Sequence, residues 1–413
     1  MTNCTSARCR AWAEVDLGAL ARNYHRVRSR LTTGCQVLAV VKANGYGHGA
    51  VTVARRLSEE GCWGFGVGDS QEALELREAG IDCPILILGA IIEGEMPCVV
   101  QKRISVCIHS TERVIRLEAE ARNQGQRARV HLMVDTGMGR LGPGPDKALE
   151  LARIIDASPW LELEGVCTHF SSAYQAEQDF SRVQADIFRQ ARLDLERAGI
   201  RPPLCHGPNS GAILSDAGAG FDLARPGIAL YGLDPHDFFG RHLELEPVLS
   251  FRTSVVYLKD VPGGTPVGYN RTWVSSQPTR IATLPVGYND GYPYRLSNLA
   301  SVLVRGQRSR VVGTVSMDYT MIDVGHIPDV APGDPVTLIG RDGDDEITVN
   351  ELADLAGTIP YEITCGLGTR VRRIAVERRE PGPLTRSDRP TPLRRLVFVD
   401  DDPEEVQVGG RVV

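Results

Sequence analysis

From about Gln36 to Gly232, short apolar segments alternate with longer segments in which apolar residues recur at helical spacing. This alternation is typical of buried strands that are joined by helices. The candidate strands are QVLAVV, GFGV, PILIL, ISVCI, RVHLMV, ELEGVCT, LCHG and the stretch that ends at GIALYG. About eight such repeats predict an α/β fold with a TIM-like (β/α)8 barrel, whose functional residues gather at the C-terminal ends of the strands.

The pattern changes near Leu249 and stays different up to about Val376. This part contains the candidate strands SFRTSVVYL, RIATLPVG, SVLVRG, RVVGTVSM, YTMIDV and PVTLIG, which Gly, Pro and Asp turns separate, and one candidate helix in VNELADLAG. It predicts a mainly antiparallel β domain. We therefore expect a barrel domain at 1–245, a C-terminal β domain at 246–380 and a tail at 381–413. The tail has one possible strand and no recognisable chemistry, so we expect its removal from Glu380 onward to leave activity intact.

The composition favours a protein whose partner is a small molecule. With 413 residues, 42% of them hydrophobic, the chain can bury two moderate cores. A net charge of -6 with dispersed Lys and Arg residues argues against nucleic-acid binding. The ten cysteines form no CxxC pair, which predicts reduced thiols, no metal site and a cytoplasmic location. No segment approaches the ~20 apolar residues that span a bilayer, nor is there a signal peptide, so we expect no membrane association.

Lys42 is the residue with the most unusual predicted surroundings. It follows the apolar residues 37–41 directly and precedes a glycine-rich loop. Burial of an ammonium group costs several kcal/mol, so a lysine here is paired, neutral or covalently used, unless its head reaches solvent from the strand end. The position suits an aldehyde cofactor held as a Schiff base. Arg140, His169 and Arg225 follow other predicted barrel strands in the same way.

Several motifs follow one another in an order that resembles a known family. AVVKANGYGHG, VDTGMGRLG, HGPNSGAIL and DLARPGIALYG lie in the predicted barrel, and GYNRTW, PVGYNDGYPYRLSN, VGTVSMDYTMIDV and PYEI follow it. From WAEVDLGAL to about Val376 the chain is similar to the alanine racemases, which use pyridoxal 5'-phosphate and consist of a barrel and a β domain. The shared order is far more specific than any single motif.

The resemblance implies a cofactor site at the barrel mouth. Backbone amides after a glycine and hydroxyl groups would bind the phosphate. Arg225 would face the pyridine nitrogen, and because a guanidinium cannot accept a proton, that nitrogen would stay unprotonated and the carbanion short-lived. The cofactor-binding residues implied by the resemblance are Lys42, Tyr46, His169, Asn209, Ser210, Arg225, Gly227, Ile228 and Tyr361.

Racemisation requires a base on each face of the substrate carbon. The resemblance assigns one face to Lys42 and the other to Tyr269, with His169 linking Tyr269 to Arg225. A tyrosine, whose pKa is about 10 in water, needs a cationic or hydrogen-bonded setting to act as a base near neutrality.

Substrate binding is implied for three residues, Arg140, Met317 and Asp318. Arg140 would bind the substrate carboxylate through its forked donors. Tyr269, Met317 and Asp318 would come from the partner subunit, which implies a homodimer with shared active sites.

The chain departs from the family pattern at three positions. Met133 stands where many members have a carbamylated lysine that positions the arginine, so Arg140 needs another anchor: Asp135, a bound anion such as chloride, or a residue of the second domain. Ser316 replaces the usual cysteine before Met317, and Gly268 replaces a common serine before Tyr269.

The sequence therefore predicts a racemase that interconverts L-alanine and D-alanine and supplies D-alanine for peptidoglycan. A serine or broad-specificity amino-acid racemase of the same family is the alternative, because Met133 and Gly268 would lie near the substrate side chain. A decarboxylase of the same two-domain plan is disfavoured, since its chemistry benefits from an acidic partner of the pyridine rather than Arg225. The complete second domain and Tyr269 disfavour a non-catalytic cofactor-binding barrel.

Overall fold

The computed structural model describes residues 9–174, 179–214, 218–235, 238–240, 243–378 and 397–398. Contact density divides the chain into two units. The barrel unit comprises 17–248 and 348–366, and the sheet unit comprises the residues before 17, those from 249 to 347 and those from 367 onward. The first strand, β1 (Ala11–Asp16), belongs to the sheet unit rather than to the barrel domain predicted at 1–245.

The barrel unit is a closed parallel barrel of eight strands in the described part of the chain, which confirms the predicted TIM-like fold. Each strand pairs in parallel with the next one, and the first and last strands pair to close the barrel. The strands are β2 (Gln36–Val40), β3 (Gly64–Val67), β4 (Ile85–Ile87), β5 (Ser105–Ile108), β6 (Ala128–Met133), β7 (Leu161–Cys167), β8 (Leu204–Asn209) and β9 (Leu223–Arg225).

The last barrel strand is shorter than the sequence pattern indicates. It ends at Arg225, and the residues Ile228–Tyr231 of GIALYG form a 3-10 helix. Pro226 explains the change, because proline has no N–H to donate to a neighbouring strand. Its carbonyl still accepts a hydrogen bond from the Val40 amide at 2.9 Å, which holds the end of β9 against the end of β2.

Helices surround the barrel with one apolar face turned inward, as in α4, where Ala73 and Leu76 are fully buried. Asp69 caps this helix by accepting a hydrogen bond from the amide of Glu72. No helix in the described residues is long and apolar enough to cross a membrane. The helices are α1 (Leu17–Arg28), α2 (Lys42–Tyr46), α3 (Ala50–Glu59), α4 (Ser70–Glu78), α5 (Met96–Gln101), α6 (Thr111–Asn123), α7 (Pro145–Asp156), α8 (Asp179–Arg197), α9 (Val349–Ala356) and α10 (Pro360–Cys365).

The sheet unit is built on one mainly antiparallel sheet, and the described residues contribute eleven strands to it. Its path runs β11, β14, β17, β16, β15, β18, β10, β1, β20, β21, and β19 pairs with β18. β1 pairs antiparallel with β10 and parallel with β20. The strands that follow the barrel are β10 (Leu249–Ser254), β11 (Tyr257–Val261), β12 (Pro266–Val267), β13 (Trp273–Val274), β14 (Thr279–Leu284), β15 (Ser301–Val304), β16 (Gln307–Val311), β17 (Thr320–Asp323), β18 (Pro335–Asp342), β19 (Asp345–Ile347), β20 (Arg372–Val376) and β21 (Val397–Phe398).

The unit boundaries differ from the predicted domains at a second place. The residues 348–366, which carry α9 and α10, belong to the barrel unit although the sequence pattern assigns them to the β domain. A close contact within the barrel unit holds α10 there: a Cβ atom on Gly47 would lie 2.0 Å from the carbonyl oxygen of Thr364. Of the predicted tail, only β21 lies within the described residues, so the expectation that the tail is dispensable remains a prediction.

Candidate active site

A cavity of about 450 Å³ opens at the C-terminal ends of the barrel strands, where this fold carries its functional groups. It brings together every site residue that the sequence predicts for the barrel unit. These are Lys42, Tyr46, Arg140, His169, Asn209, Ser210, Arg225, Gly227, Ile228 and Tyr361. Met133, Leu88, Leu141 and Tyr174 also line the cavity.

Lys42 begins a turn with unusual backbone geometry. Ala43, Asn44 and Gly45 have φ and ψ angles of about +50° to +60° and +43° to +50°, so the short helix α2 is a left-handed turn. Tyr46 follows with a φ of 53°. A left-handed conformation costs about 1–2 kcal/mol for each residue other than glycine, and such strain clusters at functional sites. The turn leaves the Lys42 side chain exposed within this chain. A continuation of the strand would have buried it.

Glu72, at the start of α4, holds this strained turn. Its Oε1 accepts a hydrogen bond from the Ala43 amide at 2.6 Å, and its Oε2 accepts one from the Gly68 amide at 2.7 Å. On the other side of the turn, Asn44 Oδ1 accepts from the Ala50 amide at 2.8 Å, at the first residue of α3. Charge-assisted bonds to backbone amides are among the stronger hydrogen bonds, so Glu72 offsets part of the strain beside Lys42.

One end of the cavity is lined by hydroxyl groups and a backbone turn. Ser210 Oγ accepts hydrogen bonds from the amides of Gly227 and Ala229, at 2.9 and 3.3 Å, and this ties the loop after β8 to the loop after β9. The Ile228 amide donates no hydrogen bond to the described part of the chain. Gly227 has no room for a side chain, because a Cβ atom there would lie 2.4 Å from the hydroxyl oxygen of Tyr46.

Three tyrosines converge on the same end. The rings of Tyr46 and Tyr361 lie 6.0 Å apart, and the Tyr361 hydroxyl donates to that of Tyr174 at 3.3 Å. Burial raises the pKa of each of the three, and the neighbouring tyrosines raise those of Tyr46 and Tyr174 further. The hydroxyls therefore stay protonated near neutrality, and each can donate a hydrogen bond to an anion.

Arg225 is almost completely buried, with 4% of its surface exposed. Its Nη2 donates to the carbonyl oxygens of Thr168 and Gly207, at 2.5 and 3.1 Å, and to Nδ1 of His169 at 3.1 Å. Its Nη1 donates to Nδ1 of His206. A guanidinium has no acceptor atom, so Arg225 presents the cavity with a rigid, permanently cationic group.

His169 receives a hydrogen bond from Arg225 and is therefore neutral. Burial lowers the pKa of His169 to about 3, and the positive charges of Arg225, Arg140 and Lys42 act in the same direction. Because Nδ1 accepts from Arg225, the ring proton lies on Nε2. The side chain is thus a hydrogen-bond donor on the side that faces away from Arg225.

The loop after β6 answers one of the open questions about Arg140. Asp135 Oδ1 accepts hydrogen bonds from the amides of Gly137, Met138 and Gly139, at 2.9, 2.9 and 3.1 Å. This carboxylate therefore shapes the loop and does not anchor Arg140. Arg140 itself is exposed and makes no ion pair or hydrogen bond with the described residues.

Met133 lies at the end of β6 and contributes an apolar side chain to the barrel interior. It is 7% exposed and packs with Leu38, Leu86, Cys107 and Cys167 in the barrel interior. Its sulfur atom lies 3.8 Å from the Cys167 sulfur. The wall of the cavity below Arg140 is therefore apolar.

The remaining predicted residues, Tyr269, Met317 and Asp318, belong to the sheet unit and do not line the cavity. Tyr269 lies at the tip of the hairpin formed by β12 and β13, and 70% of its surface is exposed. The preceding Gly268 has φ +77° and ψ -177°, a region that only glycine adopts readily. A serine at position 268 would be strained in this conformation.

Met317 and Asp318 lie in a tight turn of the sheet unit. Ser316 closes this turn, since its amide and its hydroxyl both donate to the Tyr319 carbonyl, at 2.9 and 2.8 Å. Asp318 Oδ1 accepts from Arg370 at 2.9 Å. Met317 is 52% exposed.

Sequence reasoning missed three residues of the site: Glu72, Tyr174 and His206. Glu72 and His206 do not line the cavity but form hydrogen bonds with residues that do. No local sequence motif therefore identifies them. The glutamate three residues after Asp69 is a recognisable helix-start signal, but it does not reveal the bond to Ala43. Tyr174 follows His169 at a strand end, which could have drawn attention to it.

Two protein-family models match most of the chain. The family model described as alanine racemase, N-terminal domain, matches residues 15–235, and the model described as alanine racemase, C-terminal domain, matches 248–375. The chain belongs to the alanine racemase family. The family consists of isomerases, so the predicted family and enzyme class are confirmed.

Individual alanine racemases match over similar lengths. The curated alanine racemase of Halothermothrix orenii is 41% identical over 362 residues, which cover 88% of this chain and 96% of that protein. The crystal structure of alanine racemase from Bacillus anthracis with bound L-Ala-P is 34% identical, with a TM-score of 0.85 and coverage of 94% and 98%. The Bartonella henselae alanine racemase with covalently bound pyridoxal phosphate is 29% identical, with a TM-score of 0.78 and coverage of 89% and 99%.

Proposed function

We propose that this chain interconverts L-alanine and D-alanine with pyridoxal 5'-phosphate in the barrel cavity and with Lys42 and Tyr269 as the two bases. The observation that carries the proposal is the presence of Lys42, Arg225 and the two loops that carry Ser210 and Ile228 around one cavity. When bound, the cofactor supplies an aldehyde that can link to an amine and a ring that acidifies the α-hydrogen of an amino acid.

The residues present fit the phosphate of that cofactor. A dianion needs several donors at close range, and the Ile228 amide and the hydroxyls of Tyr46, Ser210 and Tyr361 supply them. The absence of a side chain at Gly227 lets Tyr46 approach the backbone of this loop. Asn209 orders the neighbouring loop after β8, since its Oδ1 accepts a hydrogen bond from the Ala212 amide at 3.0 Å.

Arg225 supports the same proposal at the opposite end of the cavity. Its guanidinium is held by two carbonyl oxygens and two histidines. Facing the pyridine nitrogen it can only donate a hydrogen bond, so this nitrogen stays without a proton. The resulting weaker electron withdrawal suits an enzyme that returns the proton to the same carbon.

The proton transfers follow from the chemistry of the two bases. In one direction the Lys42 amine takes the α-proton on one face while the Tyr269 hydroxyl delivers a proton on the other; in the reverse direction the Tyr269 phenolate takes the proton and the Lys42 ammonium delivers one. A neutral His169 with its proton on Nε2 can donate to that phenolate and stabilise it. Arg140 binds the substrate carboxylate, which the backbone N–H of Met317 also meets, and Asp318 enters the substrate-binding site beside Met317.

Shared active sites are part of the proposal. We assign Tyr269, Met317 and Asp318 to the site of a partner subunit in a homodimer, and the exposure of Tyr269 and Met317 within one chain supports this assignment. We place the enzyme in the cytoplasm, where it would supply D-alanine for peptidoglycan. The scattered cysteines of the sequence support this location.

Serine or broad-specificity racemisation is the alternative function. One observation favours it: Arg140 has no ion-pair partner among the described residues, and Met133 beside it leaves the wall apolar rather than charged. A racemisation assay with alanine, serine and a basic amino acid distinguishes alanine racemisation from serine or broad-specificity racemisation. A preference for serine would replace alanine as the substrate and keep the chemistry.

The first prediction tests the cofactor assignment through Lys42→Ala. Wild-type protein should bind pyridoxal 5'-phosphate with visible absorbance, and borohydride reduction should leave the cofactor mass on the peptide that contains Lys42. Lys42→Ala should lose both the label and all turnover, since no other cavity residue is a lysine. Lys147→Ala, an exposed lysine on α7, is the matched control and should behave as wild type. A colourless wild-type protein that takes up no cofactor, or a label on another lysine, contradicts the proposal.

A further inference from the structure

A line of polar side chains runs through the barrel interior from Arg225 to Glu164. Arg225 donates to Nδ1 of His206, whose Nε2 lies 2.8 Å from Nδ1 of His131. The Nε2 atom of His131 lies 3.0 Å from Oε2 of Glu164, which also accepts from the Ser105 hydroxyl at 2.5 Å. Both histidines are fully buried. The four side chains between the cavity and Ser105 thus form a continuous hydrogen-bonded relay.

The hydrogen bonds of the relay can run in only one direction from donor to acceptor. Arg225 can only donate, so Nδ1 of His206 must accept and the His206 proton must lie on Nε2. Nδ1 of His131 must then accept from His206, which places the His131 proton on Nε2, facing Glu164. Both histidines are neutral, in line with the burial and the Arg225 charge that lower the pKa of His206 well below its usual value.

Glu164 is the carboxylate to which this line of hydrogen bonds connects Arg225. Within the described residues, no ion pair joins a carboxylate to Arg225, although a buried guanidinium needs compensation. Burial raises the pKa of Glu164, but the hydrogen bonds from His131 and Ser105 outweigh it and lower the pKa overall. The Glu164 carboxylate is therefore ionised. The cationic side chain of Arg129 lies near it, with Nη1 at 4.0 Å from Oε1 of Glu164.

The barrel is shaped around this relay. A Cβ atom on Gly165 would lie 2.3 Å from Nδ1 of His131, so only glycine leaves room for that ring. Ser105 is the first residue of β5, whereas Arg225 is the last residue of β9. The relay thus links the N-terminal end of the barrel to the cavity, and Glu164 does not line the cavity.

We propose that Glu164 is a positioning residue for Arg225: through His131 and His206, its carboxylate sets the orientation of the guanidinium and partly balances its charge. This role rests on the proposed function, because it matters for turnover only if Arg225 faces the pyridine nitrogen. The relay itself can be tested without cofactor.

The second prediction concerns the apoprotein, labelled with 15N at histidine. Wild-type spectra should show His206 and His131 as neutral rings with the proton on Nε2. In Glu164→Gln, which keeps an acceptor but removes the charge, the Nε2 proton resonance of His206 should shift although His206 does not touch residue 164. Glu162→Gln, two residues away on the same strand and exposed, is the control and should leave it unchanged.

Turnover of the loaded enzyme gives the second readout. The kcat of Glu164→Gln should fall by about fivefold with little change in KM, because the network acts on a cofactor contact and not on substrate binding. If this variant fails to fold, Ser105→Ala removes one donor to the same carboxylate, changes the bond that it accepts from His131, and should also shift the His206 resonance.

Three results would overturn the role of Glu164. A proton on Nδ1 of His206 or His131 in the wild type, or a His206 resonance that ignores Glu164→Gln and Ser105→Ala, would show that the relay does not exist. An intact relay with unchanged kcat would show that it does not serve Arg225. Failure of the protein to bind pyridoxal 5'-phosphate would instead refute the proposed function, while the apoprotein spectra still decide the relay.

Discussion

Gly227 shows how one missing side chain shapes the site. Its backbone lies against the Tyr46 hydroxyl, and the space that a Cβ atom would need is taken by that oxygen and the ring carbon beside it. Glycine is therefore required here by steric contact with Tyr46. The contact places the hydroxyl of Tyr46 next to the amides after β9.

The third prediction concerns Gly227→Ala. The new methyl group must displace Tyr46 from the loop, and overpacking of this kind costs about 1–3 kcal/mol, so the affinity for pyridoxal 5'-phosphate should fall by about tenfold. Titration of the apoprotein with the cofactor measures it. Gly94→Ala is the control, because a Cβ atom there meets nothing within 4 Å. Equal affinities in the two variants would show that the Tyr46 position does not matter for binding.

At the scale of elements, the left-handed turn of α2 is the least expected feature. Hydrogen bonds from two neighbouring helices hold it: Glu72 of α4 accepts from the Ala43 amide, and Asn44 accepts from the first amide of α3. These bonds offset strain that the turn could not sustain alone. Lys42 therefore owes its place at the cavity to α3 and α4 as well as to β2.

The fourth prediction concerns Glu72→Ala. Loss of the carboxylate leaves the amides of Ala43 and Gly68 without their acceptor, so their hydrogen exchange should accelerate by about tenfold, corresponding to ~1.4 kcal/mol. Mass spectrometry of peptides that span α2 measures the effect. Glu78→Ala, at an exposed position of the same helix, controls for general loosening of α4. Unchanged exchange in α2 would mean that other contacts hold the turn.

At the scale of the whole molecule, the proposed site is incomplete within either unit. The barrel unit carries the cavity, Lys42 and the proposed cofactor contacts, whereas the second proposed base lies on an exposed hairpin of the sheet unit. If the partner subunit supplies that base, each site needs residues from two chains.

The fifth prediction follows from shared sites. Lys42→Ala and Tyr269→Phe should each be inactive as homodimers. When the two are unfolded together and refolded as a mixture, half the dimers should be mixed, and one of the two sites in each should carry both native residues, which restores about a quarter of wild-type activity. No recovery, with mixed dimers demonstrated by mass spectrometry, would place Lys42 and Tyr269 of one site in the same chain.

The sequence was enough to predict the barrel, the mainly antiparallel sheet and the polar residues that line the cavity, with the exception of Tyr174. Strand and helix periodicity depends on neighbours along the chain, and the motif residues follow predicted strand ends, so both can be recognised locally. It did not determine that β1 joins the sheet unit or that α9 and α10 join the barrel unit. Those choices depend on strand pairing and contacts between residues far apart in the chain.

The tertiary structure alone decided what supports the cavity residues. Glu72 and Ala43 lie 29 positions apart, and Arg225 reaches Glu164 through two histidines on other strands. It also decided that Asp135 binds its own loop and does not anchor Arg140. The physical reason is that a hydrogen bond depends on the distance and direction between two groups in space. For residues far apart in the chain, both are fixed only when the barrel closes.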